Sequence, residues 1–287
     1  MSAVEPIGFV GLGEMGLPMA RTLLRAGFRI RACDRRPEAA AAAERAGALA
    51  AATLSDLAVC PVVALVVVSD AQVATAGREL VTHLQPGAVI VVHSTVLPET
   101  VTSLAAAAAV SGVDVLDAPV SGAVMAAERG ELAIMAGGPE PVLQRCRPVL
   151  DALGRVIPVG AVGSGQVVKL LNNMLQAGHR LLQCEAIEVA ARCGIDEATV
   201  RAVLAASSGG SWTNEHWEHL DRQFLEHTLA GTDAFMSFLT KDPHHAMQLA
   251  RGLGLEPPVM ATVDARVEEA YAARIAGLLT ARRRPLP

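Results

Sequence analysis

Two hydrophobic rhythms divide the chain. Through its first 162 residues, short apolar runs alternate with stretches of helical spacing. Ile7–Val10 is apolar throughout and predicts a buried strand. Leu17–Ala26 follows with helical spacing, and Gly27 closes it. Phe28–Cys33 alternates apolar and basic positions, a strand, and Glu38–Ala46 is a helix. Val62–Val68 is a continuous apolar, β-branched run, the pattern of a central strand covered on both faces. A helix at Ala71–Leu84, a strand at Ala88–Val92, a helix at Pro98–Ser111 and a strand at Val113–Leu116 continue the alternation. Strands alternating with helices predict a parallel, doubly wound sheet. Leu132–Ala136 and Arg155–Pro158 predict a hairpin-like addition around a helix at Pro141–Leu150.

The rhythm changes at Gly163. From there to Cys193 the chain has almost no breaker and is apolar on nearly every face: Val167, Val168, Leu170, Leu171, Met174, Leu175, Leu181, Leu182, Ile187 and Val189. Such a pattern predicts a long helix buried all round. A helix capped by Asp196 follows, then a loop at Ser207–Ser211. Helices come near Thr213–Phe224, Phe235–Gly252 and Pro258–Leu279. The fold class is therefore α/β: a doubly wound N-terminal domain over 1–162 and an all-helical domain over 163–287.

Between the first strand and helix stands Gly11-Leu-Gly-Glu-Met-Gly16, a G-x-G-x-x-G turn in its proper setting. Its glycines permit a tight turn and close approach to a pyrophosphate, and the helix start supplies N–H donors. This makes 1–162 a dinucleotide-binding Rossmann domain. Gly11, Leu12, Gly13, Glu14, Met15 and Gly16 are its candidate cofactor contacts; Glu14 also suits a helix start as a surface residue, and Met15 suits packing. Asp34 ends the second strand about 20 residues on, where an acid holds a ribose hydroxyl. Arg35 and Arg36 follow and suit a 2′-phosphate, but Asp34 would repel it, so NAD is expected and NADP is not excluded. Ligands sit at the carboxyl ends of such strands, which places Ser69, Asp70, His93, Ser94 and Thr95 on the cofactor side.

Composition narrows the classes. The 287 residues carry a net charge of −5 and a pI near 5.9, which argues against a nucleic-acid surface. Mean hydropathy is +0.37, but the purest apolar run is too short to cross a bilayer, and Met1–Glu5 lacks a basic n-region. Five cysteines without a C-x-x-C pair fit reduced thiols in a cytoplasmic protein. Order is expected throughout, save the Arg282–Pro287 tail. Of the 24 basic residues only Lys169 and Lys241 are lysines. Arginine cannot release its proton in a protein, and a desolvated lysine can. Lys169 lies in the most apolar helix, with Asn173 one turn on, on the same face. A plain consequence of codon bias accounts for either lysine alone, but less well for one in such surroundings.

Four signatures in order resemble the β-hydroxyacid dehydrogenase family, with its 3-hydroxyisobutyrate dehydrogenase and tartronate semialdehyde reductase members. They are Gly8–Met19, Asp117-Ala-Pro-Val-Ser-Gly122, Gly163-x-Gly-x-x-x-Lys169-x-x-x-Asn173, and Lys241-Asp242. The resemblance implies Lys169 as the catalytic lysine with Asn173 beside it. It implies Ser121 and Gly122 as the substrate-carboxylate loop, Thr95 near the nicotinamide, and Lys241 closing over the cofactor. It further implies a small carboxylate substrate and a homodimer or homotetramer. The usual Ser-Gly-Gly reads Ser121-Gly122-Ala123 here, which bears on the substrate end. Pro243-His244-His245 replaces the usual leucine-rich continuation, and Ser211–Trp217 has no family role. The expected activity is NAD(P)-dependent interconversion of a 3-hydroxy acid and its semialdehyde or keto form, with Lys169 as general acid and base. Alternatives are an imine reductase-like enzyme, whose members generally lack this lysine, and a non-catalytic dinucleotide sensor. No metal is expected: His216 and His219 share a helix face, but a site needs a further ligand.

Overall fold

The computed structural model describes residues 5–230 and 234–283. The start Met1–Val4 and the tail beyond Arg283 lie outside the described residues. The chain divides into two compact units, Met1–Lys169 and Leu170–Pro287.

The first unit is a parallel sheet with helices. Its elements are β1 (Ile7–Val10), α1 (Gly16–Arg25), β2 (Ile30–Cys33), α2 (Pro37–Arg45), β3 (Leu49–Ala50), β4 (Val62–Leu65), α3 (Asp70–His83), β5 (Val89–Val92), α4 (Pro98–Ala109) and β6 (Asp114–Asp117). The strand order β3-β2-β1-β4-β5-β6 is parallel throughout. Side chains alternate between two cores, as period 2 requires. Phe9, Ala32, Ala64, Val91 and Leu116 pack on one face, and Val10, Cys33, Leu65, Val92 and Val115 on the other. Burial on both faces is why these strands read as unbroken apolar runs.

Two expectations need correction here. The Val62–Val68 strand ends at Leu65. Val67 N–H turns to the Ser94 hydroxyl (2.8 Å) and Val68 N–H to Gln72 Oε1 (2.8 Å), so side chains take over from the ladder. The second concerns β7 (Val120–Ser121), α5 (Ala123–Arg129), β8 (Leu132–Gly137), α6 (Glu140–Leu153) and β9 (Gly154–Gly160). β8 and β9 are not a hairpin. They are parallel, because the 14-residue α6 carries the chain back to the starting edge. The antiparallel partners of β8 are β6 and the short β7.

α7 (Ser164–Arg192) runs across the division between the units. The helical unit continues with α8 (Glu197–Ala205), α9 (Trp212–Glu215), α10 (Trp217–Leu229), α11 (Ala234–Gly252) and α12 (Pro258–Arg283). Asp196 caps α8, accepting from Thr199 N–H at 2.8 Å. The helix expected near Thr213–Phe224 is two, broken at His216. α7 is not buried all round. Leu170, Met174, Ala177 and Leu181 form one stripe against Phe224, Met247, Val263 and Tyr271. Leu175, Leu182 and Val189, on other faces, are about two-thirds exposed. Apolar composition set no limit on which stripe found partners. Among the described residues no helix is long and apolar enough to cross a membrane.

Candidate active site

The turn after β1 is shaped by two glycines. Gly11 has φ +89°, and a Cβ there would strike the Val66 carbonyl; one on Gly16 would strike the Gly11 carbonyl. Gly13 differs: the nearest atom to a Cβ there is Arg36 Nη2 at 3.9 Å, so its outer side is open. α1 begins without a side-chain cap; Leu17 N–H closes on the Gly13 carbonyl (3.1 Å), Met19 N–H closes on the Met15 carbonyl (3.1 Å), and Pro18 carries no N–H. An open cradle at a ten-residue helix start fits a dinucleotide pyrophosphate. Met15 packs against the core, whereas Glu14 is exposed.

Asp34 closes this edge. Its carboxylate accepts from Leu12 N–H (2.7 Å) and Arg36 N–H (2.8 Å) and pairs with the Arg36 guanidinium (3.2 Å). Burial pushes the carboxyl up, but these donors outweigh it and the net shift is downward. Arg36, rather than its neighbour Arg35, is the arginine at Asp34, although both are exposed. Asp34→Ala tests the expected ribose contact: it takes away a carboxylate that would repel a 2′-phosphate, and it releases Arg36. The expected result is a shift of the NAD/NADP ratio of kcat/KM towards NADP by about tenfold or more, the size of one charged hydrogen bond. Parallel kinetics with both cofactors check it; an unchanged ratio rules out this role for Asp34.

Thr95 follows β5, half-buried, between buried Ser94 and Val96. Asp70 holds the next turn, accepting from Leu97 N–H (2.8 Å) and the Thr100 hydroxyl (2.6 Å). His93 is buried and neutral: burial lowers its pKa to about 4, and Nδ1–H donates to the Ala118 carbonyl at 2.7 Å. Ser121 ends β7, and Gly122 (φ +130°) leads into α5. Ala123 has φ +58°, the left-handed region, and is the one non-glycine so placed among the described residues. An alanine there carries about 1–2 kcal/mol of backbone strain. Ala123→Gly is expected to stabilise the fold by up to about 1 kcal/mol, since the more flexible unfolded chain offsets part of the relief. The urea midpoint reads this directly, and a lower midpoint would contradict it.

The start of α7 explains its glycines. Gly163 has φ +94°, and a Cβ on Gly165 would press on the Met135 carbonyl and the Asp117 carboxylate. Asp117, fully buried, accepts from Gly163 N–H (2.8 Å) and Gln166 N–H (2.9 Å). It therefore caps the helix from β6. Burial raises its pKa against the pull of these N–H groups. Lys169 is 7% exposed, one turn into the helix.

In the helical unit Asn173 donates to Asp242 (2.6 Å), and Lys241 pairs with the other Asp242 oxygen (2.6 Å). Asp242 is 2% exposed and joins two residues that the sequence signatures left apart. A cavity of about 50 Å³ lies beside them, lined by Asn173, Gln176, Arg180, Thr213, Asp242 and Tyr271 among others. Three residues carrying this local order, Asp117, Gln166 and Asp242, were missed as functional positions. All lie inside the quoted signatures, so the signal was present. No cluster of three or more metal-binding side chains occurs among the described residues, and the His216 ring stacks on Trp212 at 4.1 Å.

Comparison with known proteins identifies the family. Residues 6–163 match the model of the NAD-binding domain of 6-phosphogluconate dehydrogenase. Residues 163–278 match that described as the NAD-binding of NADP-dependent 3-hydroxyisobutyrate dehydrogenase. The chain is 37% identical over 217 residues to a 3-hydroxyisobutyrate dehydrogenase of Pseudomonas aeruginosa, covering 72% of this chain and 71% of the relative. It is 36% identical over 216 residues to an L-threonate dehydrogenase of Cupriavidus necator, with 73% of each covered. The solved 3-hydroxyisobutyrate dehydrogenase of Mycobacterium tuberculosis with L-serine superposes with a TM-score of 0.81 at 26% identity, covering 96% of this chain and 99% of that one. With an open glycine cradle, Asp34 at the second strand and a buried lysine in the third signature, the chain belongs to the NAD(P)-binding β-hydroxyacid dehydrogenase family.

Proposed function

We propose that this protein oxidises the hydroxyl group of a small 3-hydroxy acid to its semialdehyde or keto form, and runs the reverse reduction, with NAD as hydride carrier. The observation that carries this reading is the burial of Lys169 in a helix whose start is capped by Asp117. Bound NAD would supply the hydride acceptor for the carbinol carbon in oxidation and, in its reduced form, the hydride donor for the reverse reaction. The Gly11–Gly16 turn and the start of α1 hold the pyrophosphate, and Asp34 accepts from the ribose. Ser121 and the Gly122 N–H take the substrate carboxylate.

Lys169 moves the proton. In oxidation its neutral amine takes the hydroxyl proton; in reduction its ammonium gives one back. Arginine could not take this part, because its guanidinium keeps its proton in a protein. Asn173 lies one turn further on and is anchored through Asp242; it orients the reacting oxygen. The relatives named above act on branched and hydroxylated short acids, and Ala123 at the carboxylate loop distinguishes this chain's substrate end. The exposed Leu175, Leu182 and Val189 of α7 support a homodimer or homotetramer. Nicotinamide absorbance with 3-hydroxyisobutyrate, L-threonate, L-serine and tartronate semialdehyde, with each cofactor, tests the function. Turnover of one or more supports the reading, and cofactor binding without any turnover argues for a non-catalytic dinucleotide protein.

A further inference from the structure

We propose that Gln166 is a positioning residue that sets the spacing between Lys169 and the segment carrying Thr95. This role rests on Lys169 serving as the proton-transfer group. Gln166 is completely buried. Its Nε2 donates to the Ser94 carbonyl at 3.0 Å, and its Oε1 accepts from Val96 N–H at 3.0 Å. These partners admit one amide orientation, because a carbonyl can only accept and an N–H can only donate. One side chain therefore grips the backbone on both sides of Thr95.

The same residue is fixed to the helix start. Gln166 N–H donates to Asp117, which also holds Gly163. Lys169 follows at i+3, so the two side chains share a face of α7. The Thr95 segment is held elsewhere as well: Ser94 Oγ takes Val67 N–H, and Asp70 takes Leu97 N–H. What these other contacts do not do is tie the segment to α7. Gln166 does, with a neutral donor and a neutral acceptor on one side chain; glutamate offers that pair only when protonated. Proton and hydride transfer need their groups aligned together, and a misplacement of about 1 Å costs on the order of 10²-fold.

The whole chain is assayed as wild type, Gln166→Met, Gln166→Glu and Lys169→Ala, with whichever of 3-hydroxyisobutyrate, L-threonate or L-serine the wild type oxidises fastest. Gln166→Met is expected to lower kcat about 10–100-fold, with the NAD dissociation constant within about threefold. The primary deuterium isotope effect on kcat should rise, because the chemical step becomes slower. Gln166→Glu should fail above about pH 8 and recover relative to wild type as pH falls, since the protonated acid restores both hydrogen bonds and burial favours that form. A purely structural role would lower the melting temperature and leave kcat and the isotope effect alone, which would overturn the proposal. Unchanged kcat in Gln166→Met beside an inactive Lys169→Ala discards the positioning role alone. Full activity in Lys169→Ala discards both. Independently of turnover, a crystal structure of Gln166→Met with NAD should show the Thr95 segment shifted from α7; retained spacing overturns the proposal.

Discussion

Lys169→Ala is expected to lower kcat by about 10²–10⁴-fold, the range for losing a positioned acid and base. The lysine is 7% exposed, on a helix start capped by the buried Asp117. A solvent proton acceptor cannot replace it at that depth, so the loss should appear in kcat and kcat/KM together. NAD affinity should hold, because the glycine turn and Asp34 lie on other elements. Lys169→Arg separates two explanations. Arginine keeps the charge and cannot give up its proton. If proton transfer is the role, Lys169→Arg is as inactive in oxidation as Lys169→Ala. Wild-type oxidation rates in Lys169→Arg would reduce the lysine to an electrostatic contact. Stopped-flow absorbance on saturating NAD decides between them.

Asp221→Ala is expected to destabilise the helical unit by about 3–5 kcal/mol, the cost of stranding buried charge. Asp221 pairs with both Arg180 and Arg274. The Arg180 side chain is 2% exposed, and its guanidinium lies 3.6 Å from the Trp217 ring centre. Burial lowers its pKa against the attraction of Asp221. Arg274 is also penalised by burial, but paired hydrogen bonds to Glu197 (2.9 and 2.7 Å) and Asp221 carry its pKa upward. Glu197 shows the counterpart: burial raises it, Arg274 outweighs this, and the net shift is downward. A carboxylate depressed in the fold stabilises above its unfolded pKa, and that stability is lost as pH falls through the folded value. Acid should therefore loosen this cluster in the wild type. In Asp221→Ala, Arg180 loses its carboxylate partner while still stacked on Trp217. Urea unfolding followed by tryptophan emission reports it, because both tryptophans, Trp212 and Trp217, lie in this unit. A loss below about 1 kcal/mol would mean the two arginines find other partners.

Local order was legible in the residues themselves. The unbroken apolar runs of β1, β4 and β5, the G-x-G-x-x-G turn, Asp34 and the Asp196 cap depend on neighbours within a few positions or on one strand–turn–helix unit. Spacing and side-chain chemistry suffice for those. Tertiary structure decided the rest, because its contacts join distant positions. Asp117 meets Gly163 and Gln166 across 46 and 49 residues, Asn173 meets Asp242 across 69, and Arg180 meets Asp221 across 41. The parallel pairing of β8 and β9 depended on where α6 returned the chain, which the apolar runs alone did not state. For α7 the apolar pattern was symmetrical about the helix, and only packing chose Leu170, Met174, Ala177 and Leu181 as the buried stripe. Ala123 shows the same division: its identity was plain in the sequence, but its left-handed backbone follows from the turn between β7 and α5. A residue's type is a local fact; its partner is set by how the whole chain closes its core.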